Sequence, residues 1–283
     1  MKKKEKMTKY LLILPGFSFF LFTMLIPFFM GINIAFTDWN GVTTDYNYIG
    51  LLNFINIIKD TRISKPFMNT LHFTVAGTVL SNFVSLSLAL LLNVRFKKFS
   101  NLARIIFFIP VCFSSVLTAF LWKFIYGEFL TGVFGIKNML GNREAVIIAI
   151  VIIGIWNTAG VNMLIYLSGL KNIPIELYEA AKVDGGNAFM RFRKITLPLL
   201  TPSFTVCVTL TMTSWLKEFA TTLSATGGGP GGASKTVSIY IYENLYKYYK
   251  AGYGQAVSFL FSICMIVIGL VVSAFFRKRE VEM

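Results

Sequence analysis

The sequence predicts an all-α membrane protein: six transmembrane helices, with a cytoplasmic helix–turn–helix between spans four and five. Three observations carry this. Of 283 residues, 55% are hydrophobic and only 14% charged, where a soluble domain carries roughly a quarter charged residues. The mean hydropathy is +0.66. The apolar residues also gather into six stretches, each reaching the ~20 residues a helix needs to cross a bilayer core in which backbone groups find no water.

The stretches run over about 10–36, 67–92, 105–126, 145–170, 199–223 and 255–276. The first follows a basic start, Met1 to Lys9. It is longer than the apolar core of a signal peptide and no small-x-small cleavage site follows it, so it reads as a retained span. Span two carries Gly77, Ser81, Ser85 and Ala89, four apart. Such a stripe lets helix backbones approach closely in lipid, against another span or a neighbouring subunit. His72, the only histidine, sits at the outer start of this span as an interfacial polar residue. Cys112, Cys207 and Cys264 each lie inside an apolar run and read as packing residues rather than a disulfide framework.

Orientation follows from the basic residues. With both termini inside, the cytoplasmic segments hold seventeen Lys and Arg: Lys2, Lys3, Lys4, Lys6, Lys9, Arg95, Lys97, Lys98, Arg104, Lys171, Lys182, Arg191, Arg193, Lys194, Arg277, Lys278 and Arg279. The opposite side holds eight, and Lys123 and Lys217 lie at helix ends. The positive-inside rule therefore places both termini in the cytoplasm of a multi-pass protein of the plasma or inner membrane. The net charge of +14 is explained by this topology, and a nucleic-acid partner is unnecessary. External connections span about 37–66, 127–144 and 225–254. Without heptads, solenoid repeats or low-complexity tracts, residues 1–283 read as one transmembrane domain.

The loop 172–198 is the most patterned part of the chain. Pro174 suits a first helical turn and Glu176 favours the positive end of the helix dipole. Good helix formers run from Ile175 through Val183, and Gly185 and Gly186 supply the stop. Asn187 caps a second short helix over Ala188–Lys194, and Pro198 opens span five. Ala180 and Ala181 make a shallow surface that another backbone can approach. Asp184, unfavourable near a helix C-terminus, caps the following turn or meets a cation from elsewhere.

These residues resemble a known signature. Glu179, Ala180 and Ala181, three further residues, Gly185, nine residues, Ile195, one residue, then Leu197 and Pro198 match the spacing of the EAA loop of binding-protein-dependent ABC importer permeases, seven specified positions over twenty residues. LPGF at Leu14–Phe17, IPF at Ile26–Phe28, FTDWNG at Phe36–Gly41, GLLNF at Gly50–Phe54, NT at Asn69–Thr70, TGGGP at Thr226–Pro230 and IYIYE at Ile239–Glu243 are similar to the sugar-type permeases related to the maltose and glycerol-phosphate systems. One departure is Lys217-Glu218-Phe219, where relatives often carry Asp-Glu-Phe. No substrate inference is drawn from an acidic pair there.

The resemblance implies a permease subunit forming the translocation path for a carbohydrate. It implies three protein partners: a second homologous permease subunit, an ATP-binding-cassette ATPase dimer and an extracellular solute-binding protein. The chain itself holds no cofactor; ATP and Mg sit on the ATPase. The coupling positions are Glu179, Ala180, Ala181, Asp184, Gly185, Ile195, Leu197 and Pro198. Alternatives are an importer permease for a non-sugar solute and a secondary transporter. The latter predicts an inverted repeat and charges deep in several spans, neither of which the chain shows.

Polar side chains at mid-membrane depth are costly and face a cavity or a partner helix. On this rule Asn157, Asn162, Ser214, Trp215 and Glu218 line the substrate path, with interhelical hydrogen bonding as the competing reading. Gly154 and Gly160 thin the same region of span four. The run Gly227–Thr236 resembles a phosphate loop superficially, but Ala233 and Ser234 separate its last glycine from Lys235, and the lysine of a phosphate loop follows that glycine directly. It reads instead as a flexible external loop near the substrate entrance. No His/Cys/Asp/Glu group at metal spacing and no nucleophile–base pair is evident, so the chain is not expected to be an enzyme.

Overall fold

The structure, a computed structural model, describes residues 12–94 and 100–278. Tyr10 and Leu11 of the first stretch, and the basic residues Lys2, Lys3, Lys4, Lys6, Lys9, Arg95, Lys97, Lys98 and Arg279, lie outside the described residues. Apart from one isolated bridge between Thr37 and Tyr48, the regular structure described is helical.

Among the described residues, five helices are long and apolar enough to cross a membrane. These are α1 (Leu12–Ala35), α3 (Ser64–Val94), α5 (Ser115–Phe134), α6 (Val146–Lys171) and α12 (Ala251–Arg277). A sixth is counted if α8 (Ala188–Leu199) and α9 (Thr201–Leu216), bent by 67° at their junction, form one span. Shorter helices are α2 (Leu52–Lys59), α4 (Ser100–Phe108), α7 (Ile175–Val183), α10 (Ala220–Thr226) and α11 (Val237–Tyr242). Large apolar side chains such as Val79, Phe83, Phe120 and Leu270 are more than half exposed, as expected where the outer solvent is lipid.

Two of the expected spans are broken. The unbroken helix read over 105–126 is interrupted: α4 tightens at Ile109–Cys112, and Phe113 and Ser114 turn extended before α5 begins. Pro110 cannot donate the hydrogen bond that would continue α4. Ser114 then caps α5 by accepting from the Leu117 N–H at 3.2 Å. The stretch 199–223 ends early as well: α9 stops at Leu216, Phe219 leaves helical geometry, and α10 restarts at Ala220. The second loop helix, expected to end at Lys194, runs on through a widened turn at Phe192–Thr196 to Leu199.

The chain divides into two compact units. One comprises residues up to Thr61 with Tyr240–Ser262. Within it, buried Asn53 donates to the Ala35 and Thr37 carbonyls at 2.9 and 2.8 Å, tying α2 to the end of α1. Asp60 accepts from the hydroxyls of Tyr240 and Tyr253, both at 2.8 Å.

In the same unit the exposed Asp38 carboxylate accepts from the Asn47 backbone N–H at 2.7 Å and its side-chain amide at 3.2 Å. The backbone bond is the main cause holding the Asp38 carboxyl below its ordinary value. A lowered folded value contributes stability above the unfolded value, about 4, that is lost as pH falls through the folded one. Limited proteolysis of the segment 37–48 should therefore accelerate below about pH 4, and Asp38→Asn should remove that pH dependence.

The other unit spans Arg62–Ile239 with the C-terminal residues from Ile263. Here α3 packs on α6 and α9 around two apolar clusters, one including Phe73, Ile150, Ile153 and Trp215, the other Ala89, Met163, Tyr166, Leu200 and Cys207. Ser81, Ser85 and Ala89 are fully buried, so the small-residue stripe faces this chain's own helices. Cys207 is buried, whereas Cys112 and Cys264 are exposed.

Candidate functional site

Two features of the second unit bear on function: a cavity with a partly polar lining and the exposed turn between α7 and α8. The cavity has a volume of about 100 Å³ and is lined by Ser115 and Thr118 of α5, Ile153, Gly154, Asn157 and Thr158 of α6, and Thr211, Ser214, Trp215, Glu218 and Thr221 from α9 through α10. Four of the five path residues read from the sequence therefore meet here: Asn157, Ser214, Trp215 and Glu218.

Each is positioned by local chemistry. The Asn157 amide donates to the Pro110 carbonyl at 2.8 Å, the Phe113 carbonyl at 3.4 Å and the Thr118 hydroxyl at 3.3 Å. It thus holds the break between α4 and α5, adding to the bond that the Pro110 carbonyl already accepts from the Phe113 N–H at 3.1 Å. Glu218 lies in the break after α9, where its carboxylate accepts from the Thr222 N–H at 2.9 Å and hydroxyl at 3.1 Å, and its carbonyl accepts from Thr236 at 2.8 Å. The carboxylate in effect caps α10.

Trp215 is held more by packing than by polarity. Its ring lies parallel to Phe73, centroids 6.3 Å apart, and its edge fills gaps at Gly77 and Gly154, where a Cβ on either glycine would overlap the indole. Its N–H reaches the Ser81 hydroxyl at 3.4 Å. The ring is 5% exposed, so it supplies an edge to the cavity rather than an open stacking face.

Asn162 departs from the expectation. It is 4% exposed, lies outside the cavity lining, and its amide nitrogen has no hydrogen-bond partner. Ser115, Thr118 and Thr221 line the cavity but were not singled out from the sequence. Pro110 followed by the Ser-Ser pair was the available signal for the first two.

The glycine-rich run is not a loose loop. Lys65 donates to the Gly231 carbonyl, and Asn69 to those of Gly232 and Lys235, all at 3.0 Å. Thr70 accepts from the Val237 N–H at 2.9 Å, and Ser234 donates to the Gly229 carbonyl at 2.6 Å. Gly227, Gly228, Gly231 and Gly232 have positive φ, which glycine adopts without steric cost. The expected flexibility is corrected: the Asn69-Thr70 pair at the start of α3 pins the run.

At the exposed turn, α7 ends in two paired bonds, Gly186 N–H to the Ala181 carbonyl at 2.8 Å and Gly185 N–H to that of Lys182 at 3.2 Å, with Gly185 at φ +78°. This closure satisfies the orphan carbonyls with a left-handed glycine. Asn187 caps α8 by accepting from the Met190 N–H at 2.8 Å. The Tyr178 and Thr196 hydroxyls are 2.9 Å apart, joining the two helices.

Glu179, Ala180, Asp184 and Gly185 are exposed on this turn and Ala181 is half-buried. Ile195 instead packs into the Tyr166–Cys207 cluster. Pro198 is half-buried and Leu197 exposed. The eight coupling residues thus divide into an exposed tip and a root seated in the bundle.

Among the described residues no group of three or more His, Cys, Asp or Glu side chains could hold a metal ion. The cavity's amide, hydroxyls and carboxylate suit hydrogen bonding to a polar solute.

Several long apolar helices surrounding this cavity define a multi-pass membrane protein. The chain belongs to the family described as binding-protein-dependent transport system inner membrane component, whose model matches residues 81–279. It is 33% identical over 295 residues, covering all of both chains, to a probable starch degradation products transport system permease protein, AmyD, of Thermoanaerobacterium thermosulfurigenes. It is 32% identical over 274 residues, 92% of this chain and 90% of the relative, to the trehalose/maltose transport system permease protein MalF of Thermococcus litoralis. The fold is similar to that of a chain in the crystal structure of a bacterial ABC transporter involved in the import of the acidic polysaccharide alginate, with TM-score 0.84, 22% identity, and 97% and 96% of the two chains covered.

Proposed function

We propose that this chain forms half of the translocation path of an ATP-driven carbohydrate importer, in the orientation with both termini cytoplasmic. The observation that carries this reading is the continuity of one segment. The exposed turn bearing Glu179, Ala180, Ala181, Asp184 and Gly185 leads through α8 and the 67° bend into α9, which brings Thr211, Ser214 and Trp215 to the cavity. A partner that moves the turn moves one wall of the path.

The remaining parts follow. A paired ATPase holding ATP and Mg grips the tip, and its closure favours one of two packed arrangements. A second, related permease supplies the other half, lipid surrounds the spans, and an extracellular binding protein delivers the solute. The carbohydrate class is supported by the names of the relatives, starch products and trehalose/maltose among them. It is supported too by the chemistry of the cavity lining, since sugars are recognised through matched hydroxyl hydrogen bonds.

The test is reconstitution with the cognate ATPase and binding protein, reading ATP hydrolysis and uptake against a panel of neutral oligosaccharides. Asn157→Ala, which removes the donor shared by the Pro110 and Phe113 carbonyls and the Thr118 hydroxyl, should lower saccharide-stimulated ATP hydrolysis up to about tenfold, the factor for one lost net hydrogen bond of ~1 kcal/mol. Unchanged uptake in both Asn157→Ala and Glu218→Gln would remove the cavity from the path.

A further inference from the structure

The buried seam among α3, α6 and α9 carries a polar relay that the exposed turn does not use and that touches the cavity only at Thr211. The Tyr166 hydroxyl of α6 donates to Asn82 Oδ1 of α3 at 2.6 Å. Asn82 Nδ2 donates to Thr211 Oγ1 of α9 at 2.8 Å, and Thr211 in turn donates to the Cys207 carbonyl at 2.7 Å. Tyr166 is fully buried, and Asn82 and Thr211 are 7% and 5% exposed. One asparagine thus joins three long helices, and within apolar surroundings each group depends on the next.

The same seam holds two buried polar groups without partners. Ser85, less than one turn from Asn82, is fully buried with an unpartnered hydroxyl, and Asn162, about one turn from Tyr166, is buried with an unpartnered amide nitrogen. Buried polar atoms left without partners oppose the association that the relay favours. Trp215, seated in the gaps at Gly77 and Gly154, fixes the same three helices near the cavity, on the far side of Asn82 from the Ile195 root.

We infer that the Tyr166–Asn82–Thr211 relay is a releasable latch. It holds α3, α6 and α9 together in this arrangement and breaks when the importer changes state, with Trp215 as the pivot. The inference rests on the importer reading for its trigger, whereas the latch itself is a property of this chain.

Cys207 supplies a reporter already in place. It is fully buried in the seam, its thiol 3.8 Å from the Asn162 carbonyl. With Cys112→Ser and Cys264→Ser removing the two exposed thiols, alkylation of Cys207 by N-ethylmaleimide in the assembled, membrane-reconstituted complex reads seam opening. Asn82→Leu and Thr211→Val remove the relay at different places, and neither replaced side chain bonds the Cys207 thiol. Each should raise the alkylation rate about five- to tenfold, the factor for one lost net hydrogen bond, with the thermal unfolding midpoint held within the parent's error to exclude general loosening.

In the parent, a non-hydrolysable ATP analogue should speed alkylation, and in Asn82→Leu it should add little. Unaltered rates in both variants overturn the latch. A fast variant whose parent ignores the nucleotide overturns its role in the cycle while ATP hydrolysis by the complex still supports the importer reading. A complex without ATP hydrolysis, yet with fast variants, would sink that reading and leave the latch standing.

Discussion

An importer complex carrying Ala180→Trp should lose ATP-driven uptake while the permease still folds and inserts. Ala180 is exposed and touches neither apolar cluster, so an indole there costs the chain little. A docked ATPase, however, would approach this shallow surface closely, and a large ring would hold it off. Central contacts of a docking surface are each worth about 2–4 kcal/mol, so co-purification of the ATPase should weaken by roughly thirtyfold or more. Gly185→Val attacks the same element from within. At φ +78° a β-branched residue is strained by ~1–2 kcal/mol, which opens the closure of α7 and disperses the tip. Full nucleotide-coupled uptake in both variants would mean that the turn is not where force enters.

Trp215→Ala is expected to be the most destabilising single change in the transmembrane part. It empties a site bounded by Phe73, Gly77 and Gly154, and large-to-alanine changes of this kind cost about 3–5 kcal/mol. Trp215→Phe should recover part of the loss by restoring the stack on Phe73. The complementary change, Gly154→Val, should be comparably harmful because its side chain would overlap the indole and force it off its seat against Phe73 and Gly77. Thermal unfolding of the detergent-solubilised chain measures all three. Equal midpoints for Trp215→Ala and Trp215→Phe would show that the ring is not the wedge between these helices.

The first helix of the loop was legible to the residue, although the second overran its expected end. Pro174, Gly185 and Asn187 are local signals, and the helix they delimit, Ile175–Val183, is the one observed. Caps act over a few residues, so neighbouring residues suffice to read them. The broken spans were not legible in the same way. Apolar length is a summed property and passes over a break of two or three residues. In 105–126 Pro110 and Ser114 marked the break, but in 199–223 neither proline nor glycine did. There the interruption is maintained by Thr222 and Thr236, which bond the side chain and carbonyl of Glu218, partners distant from it or meaningful only once the chain has folded.

Asn157 and Asn162 illustrate the same division inside one helix. Both are amides in an apolar run, five residues apart, and the sequence assigns them one role. The structure sends Asn157 to the cavity wall and Asn162 into a buried seam.

The sequence by itself determined that this chain lives in lipid, how many apolar stretches it has, where the patterned loop begins and ends, and which signature that loop carries. All of these are written in composition and short-range spacing. Only the tertiary structure decided that the small-residue stripe of α3 faces its own chain, that the glycine-rich run is pinned by Asn69 and Thr70, and which of two similar amides borders the cavity. Each of these depends on which surfaces meet when helices far apart in sequence pack. A burial partner more than a hundred residues away leaves no mark in the residues beside it.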